Sequence, residues 1–264
     1  TKMGRGDKKT KKGKRFMTIS NNRGFWKGFL SLAVPLALQN LLASSMSAVD
    51  TFMVSSQGEL AVAAVGVCNQ YTQLLFSWFF GFTAVGALFI AQYWGAKDGK
   101  GISRAYGMMI TLMTVLGVVF SVCSMAFPEV ILSIYTNNKE IQEVGVQYLR
   151  ILGISYIGQM FVFAIGTFLR STEKIKLPLI TSLIAVFANT FLNWVFIFGN
   201  LGMPALGVKG AAIATVCSNI LNCVILIIAC IVKKNPFMWN FKDVFHWDKA
   251  FVIEFTRKSI PIMC

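Results

Sequence analysis

One carboxylate closes a long apolar stretch. Asp50, in Ser45-Met46-Ser47-Ala48-Val49-Asp50-Thr51-Phe52-Met53, follows a run from Gly28 that contains no charged residue. An acid carried into hydrocarbon costs about 2.5 to 3.5 kcal/mol on insertion scales, so such a residue either handles ions or protons or sits at headgroup level and caps a neighbour. Its own segment favours the first reading. Gln39 lies eleven residues earlier, within about 20° of three helical turns, and Met46 one turn earlier. A helix here therefore places Gln39, Ala43, Met46 and Asp50 on one face, suited to lining a chamber.

Amides supply the complementary chemistry. Asn189 and Asn193 are four residues apart, hence on one helix face, and an amide oxygen can ligate a hard cation or accept from a protonated acid. The same pair could instead join helices, at about 0.6 kcal/mol per interhelical hydrogen bond in a membrane. Thr215, Asn219 and Asn222 form another stripe at i, i+4 and i+7. Three polar helix faces and one acid point to a hydrated cavity inside a bundle.

Other chemistry lacks its parts. Five of the six cysteines (Cys68, Cys123, Cys217, Cys223 and Cys230) lie in apolar runs, no pair has CxxC spacing, and the one histidine, His246, sits between Phe245 and Trp247 beyond the last run. Small apolar packing explains the cysteines, and an aromatic membrane belt with Trp239 and Trp247 explains the histidine. Neither an enzyme nor a cofactor is expected.

The elements that must carry these groups follow from composition. The 264 residues are 55% apolar and 14% charged, against roughly 25% charged in a soluble domain. Charged residues are absent from 28–49, 60–96, 105–128, 151–169, 177–208 and 210–232. A bilayer core about 30 Å thick needs about 20 helical residues, which each run approximates or exceeds. The runs do not alternate apolar with polar as barrel strands would, and a lone segment in lipid pairs its backbone only as a helix. Six membrane helices are therefore expected.

Cations then orient them. Ten of the 25 Lys and Arg residues precede Gly28, others gather at Lys97, Lys100 and Arg104 and at Arg170, Lys174 and Lys176, and six more follow the last run. The intervening loops hold only Lys139 and Lys209, and Arg150 stands near the start of the fourth run. The positive-inside rule places the N-terminus and alternate loops in the cytoplasm, and the protein is expected in the inner (plasma) membrane. The basic segment up to Arg15 reads as a tail at an anionic leaflet, not a nucleic-acid arm. The first apolar run exceeds a signal-peptide core, so a retained helix is expected. The expected organisation is a basic cytoplasmic tail (1–27), a six-helix lobe (28–232), an amphipathic linker (233–248) and the start of a seventh helix (249–264).

Three further features complete the reading. Glu59 opens the second run, where an acid complements the helix dipole. Pro35 frees a backbone carbonyl in the helix that carries Asp50 and marks a kink or hinge. Ser31-Leu32-Ala33-Val34-Pro35-Leu36 is echoed by Arg257-Lys258-Ser259-Ile260-Pro261-Ile262, as if a second repeat began there; duplicated halves are common in secondary transporters.

Taken together, Pro35, Val49-Asp50-Thr51 and the Gly58 to Gly66 stretch resemble the first two helices of the multidrug and toxic compound extrusion (MATE) family. So do Ala91 to Ala96, the Leu169-Arg170-Ser171-Thr172 and Pro178 junction, Asn189 to Gly199, and Gly207 to Thr215. The resemblance implies an all-α integral membrane protein: the N-lobe of a twelve-helix fold plus the start of helix seven, with its own C-terminal lobe missing. It implies an antiporter that exports organic cations or amphipathic drugs in exchange for Na+ or H+. By the same resemblance Asp50, Asn189, Asn193 and Thr215 form the N-lobe cation site, with Na+ at the first three possible, and Pro35 is linked to bending. Gln39, Met46 and Asn219 would face the substrate cavity. Some members carry an aspartate where this chain has Asn193, so the ion stoichiometry of that branch does not transfer. Two alternatives stand beside this reading: a flippase for lipid-linked glycans on a related fold, and a non-transporting half-unit.

Overall fold

The computed structural model describes residues 23–232, Val244 and 249–263. The basic tail before Arg23, most of the amphipathic linker with Trp239, His246 and Trp247, and the side chains of Pro35, Met46 and Pro261 lie outside the described residues.

The described chain is helical: α1 (Arg23–Ser55), α2 (Glu59–Gly95), α3 (Gly99–Ala126), α4 (Pro128–Tyr135), α5 (Lys139–Ser171), α6 (Lys176–Phe198), α7 (Val208–Val232) and α8 (Lys249–Met263), with one 3-10 turn at Asn200–Gly202. No strand occurs among the described residues. α2, α3, α5, α6 and α7 are each long and apolar enough to cross a membrane, and α1 carries the charge-free run before Asp50. The fold is thus the expected all-α six-helix lobe, followed by a further helix.

Local chemistry sets the boundaries. Asp98 caps α3 by accepting from the amides of Lys100 and Gly101, both at 3.1 Å, and Asn138 caps α5 by accepting from Glu140 at 2.9 Å and Ile141 at 3.4 Å. Glu59 lies in the first turn of α2, as the dipole argument requires. Gly199 ends α6 in the left-handed region at φ 73°, and a Cβ there would stand 2.6 Å from the amide nitrogen of Ala205.

Two elements differ from the expectation. Beyond the third span, Pro128 starts a separate short helix, α4, at the end of the charge-free run, because proline suits a first turn and not a helix interior. α5 begins at Lys139, well before its charge-free core, so Arg150 is inside the helix and not at its start. There it is exposed and pairs with Glu129 of α4 at 3.0 Å.

α5 is the bundle's central column, in contact with α2, α3, α4 and α7, while α6 packs on α7, α1 on α6, and α8 on α2. Tyr156, Met160, Leu149 and Phe168 of α5 are buried, and the Tyr156 hydroxyl lies 2.9 Å from Thr72 Oγ1 of α2. The outside is apolar too: Phe80 is 67% exposed and Phe187 70%, on a surface with many other exposed Val, Ile and Phe side chains. Such a surface matches lipid or another apolar protein face and not water. α8 seats Phe251 and Phe255 against Phe89 of α2, with centroids 5.4 and 5.8 Å away, and Lys258 Nζ 4.8 Å over the same ring.

Candidate cation site and cavity

α1 and α6 run in the same direction with constant register. Gln39 Nε2 donates to Ser182 Oγ at 3.1 Å; eleven residues further along both helices, Asn193 Nδ2 donates to Asp50 Oδ1 at 2.7 Å. The two rungs bound a cavity of about 560 Å³ whose walls come from α1, α2, α5, α6 and α7. Gln39, Asp50, Asn189, Asn193, Thr215 and Asn219 all line it.

The acid's partners are the helix-face amides. Asn193 is buried, and its nitrogen also lies 3.2 Å from the end of the Asn189 side-chain amide. The network around Asn189 sets its amide nitrogen toward the carboxylate, at 2.9 and 3.2 Å from the two oxygens of Asp50, and its oxygen toward Ser218 Oγ at 3.2 Å. Asn193 Oδ1 is buried with no hydrogen-bond partner among the described residues. An orphan acceptor beside a carboxylate fits a cation-binding group made of hard oxygen ligands.

Thr215 is near this cluster without bonding to the acid. Its hydroxyl donates to Ala211 O at 3.0 Å, its carbonyl accepts from Ser218 Oγ at 3.0 Å, and the residue lines the cavity. Asn219 is half-buried one turn along the same helix. α1 is continuous through Pro35. No cluster of three His, Cys, Asp or Glu side chains suited to a metal occurs among the described residues.

Ser218, Gln159 and Arg170 are among the cavity residues that were not singled out from sequence. Ser218 stands three residues after Thr215 and four before Asn222, so it belongs to the stripe already drawn on α7. Gln159 reaches Ser155 Oγ at 3.2 Å and leaves its own oxygen buried and unpaired; its signal was an amide inside an apolar run. Arg170, counted as a loop cation, lines the cavity, whereas Arg150 does not. The signal for Arg170 was Gly166 one turn before it, which leaves room for a side chain folded back along the helix.

Fold and site together define a multi-pass helical membrane lobe with an acid in a polar cavity. The MatE family profile matches residues 35–195, and the chain belongs to the MatE family. The chain is 30% identical over 239 residues to the probable multidrug resistance protein YoeA of Bacillus subtilis (strain 168), covering 89% of this chain and 52% of that protein. It is 26% identical over 201 residues to the probable multidrug resistance protein NorM of Thermotoga maritima, covering 76% of this chain and 43% of that one. A crystal structure of MATE in the bent conformation superposes with a TM-score of 0.78 at 20% identity, over 89% of this chain and 51% of that chain. The chain spans about half the length of the relatives it matches, as one lobe of two would.

Proposed function

We propose that this lobe belongs to a secondary active antiporter, not an enzyme, that exports lipophilic organic cations or amphipathic drugs in exchange for Na+ or H+. The observation that carries the reading is Asp50, an acid inside a membrane cavity, bonded to Asn193 at 2.7 Å with Asn189 beside it. The names of the YoeA and NorM relatives support drugs as substrates. Alternate loops rich in Lys and Arg support a cytoplasmic N-terminus in the inner membrane.

The mechanism is reciprocal occupancy. Open to the outside, Asp50 takes the external cation, with Asn189, Asn193 and Thr215 contributing oxygens; the cavity loses its negative charge and releases a cationic substrate. Open to the cytoplasm, the cation leaves, and the bare carboxylate attracts the next substrate among Phe76, Val162 and Phe163. Such coupling requires only that each ligand prefer a different state, and it is reciprocal. Pro35 would supply the bend in the helix that bears the acid. The test is efflux of ethidium from cells that express the protein, driven by an imposed Na+ or proton gradient. Asp50→Asn should reduce gradient-driven efflux at least tenfold while membrane abundance is retained; unchanged efflux would overturn the mechanism.

A further inference from the structure

Arg170 occupies the last turn of α5, where a cation ordinarily extends toward the headgroups or bonds to the final helix carbonyls. It does neither. Its guanidinium lies back along its own helix: Nη2 donates to Thr167 Oγ1 at 3.2 Å, and Nη1 comes within 3.3 Å of where a Cβ on Gly166 would stand. The glycine leaves the space that this inward course uses. Gly166, Arg170, Pro178 and Ser182 all line the cavity.

A guanidinium offers five N–H donors in a planar fork suited to carboxylate or phosphate oxygens. Arg170 uses one, on a hydroxyl, and the ion pairs among the described residues are Arg150 with Glu129 and Lys258 with Glu254. Asp50 does not neutralise it. Arg170 stands at the α5–α6 junction, and on α6 Ser182, near that junction, and Asn193, which holds Asp50, are eleven residues apart, or about 16 Å of helix rise. Between these poles the wall includes Phe76, Val162, Phe163 and Val186.

We propose that Arg170 makes its end of the cavity a receptor for the anionic oxygens of an amphipathic ligand, a carboxylate or phosphate head on an apolar body. The inference rests on the reading of this cavity as a substrate chamber and adds a ligand class to it. It also has a sign. With Asp50 ionised the two poles cancel; with Asp50 neutralised by its coupling cation the cavity carries a net positive charge. The cation therefore strengthens binding of an anion-headed ligand, opposite to its effect on a cationic substrate, and by reciprocity that ligand strengthens binding of the cation.

The experiment titrates purified protein in phosphatidylcholine nanodiscs with dansyl-labelled undecanoate and with its methyl ester, which share one apolar body and differ in the anion. The carboxylate should bind at least tenfold more tightly than the ester. Arg170→Gln should remove that preference while ester binding persists, Arg170→Lys should keep part of it, and Asp50→Asn should increase it. Equal binding of carboxylate and ester to the unmodified protein, or a preference that survives Arg170→Gln, overturns the proposal. Repetition in phosphatidylglycerol nanodiscs identifies the source of the anion: displacement of the probe assigns it to a lipid headgroup, persistence to a soluble ligand, and both require Arg170. Because the readout is equilibrium binding, its failure is separate from failure of the gradient-driven efflux that tests the antiport reading.

Discussion

Two seams run through this bundle and they are built on opposite principles. Along α2, α3 and α5 the helices touch backbone to side chain: a Cβ on Gly153 would clash with Ser124 Oγ, and one on Gly86 with Met109 Sδ. Tyr156, Met160 and Leu149 are fully buried between them. Between α1 and α6 the side-chain hydrogen bonds form two spaced polar rungs beside a cavity, and Asn193 Oδ1 is left without a donor among the described residues. In a bilayer the hydrophobic effect does not pull helices together, so close packing of small residues has to hold them. The dense seam supplies that. The open seam stays available for a ligand and for movement of α1.

If this division is right, substitutions on the open seam change transport and leave the fold, and those on the dense seam do the reverse. Asp50→Asn should show the largest functional effect, the at least tenfold loss of gradient-driven efflux stated above, with a thermal midpoint in detergent close to that of the unmodified protein. Asn193→Ala removes a hydrogen bond to a charged group, worth about 1.5 to 3 kcal/mol. Cation affinity should therefore change by about tenfold or more, read by Na+ or proton dependence of efflux. Gly153→Val, on the dense seam, should lower stability by about 1 to 3 kcal/mol through overpacking, seen as a lower thermal midpoint with transport per folded molecule retained. Gln39→Ala breaks only the neutral rung, about 0.6 kcal/mol, and should change efflux less than Asp50→Asn or Asn193→Ala. Glu129→Gln, on the exposed pair with Arg150, should change neither readout by more than about 0.5 kcal/mol. A large loss of fold in Asp50→Asn, or of transport per folded molecule in Gly153→Val, would break the comparison.

How much of this was legible varies by scale. Six helices could be read from charge-free runs because hydrocarbon admits no alternative to an internally paired backbone. The face shared by Gln39 and Asp50 could be read because eleven residues close three turns. Asn189 and Asn193 could be placed on one face by their spacing, but that they meet Asp50 could not, since nothing in either segment specifies the 143-residue register between α1 and α6. Arg150 and Arg170 show the limit most clearly. Both are cations near helix ends by hydropathy, yet one pairs on the surface and the other folds into the cavity, a choice made by Glu129 on α4 and by Gly166 on the same helix.

By itself, then, the sequence determined the medium, the helical class, the number of spans, the expected sidedness and the identity of the one acid in the first helix, because each depends on local composition and on the cost of charge in lipid. Tertiary structure alone decided which polar faces meet, that Ser218 and Gln159 join the cavity, and that a guanidinium shares it with the acid. These depend on packing between segments distant in the chain, where a single glycine or a shift of one helix turn redirects a side chain from lipid or headgroup to the interior.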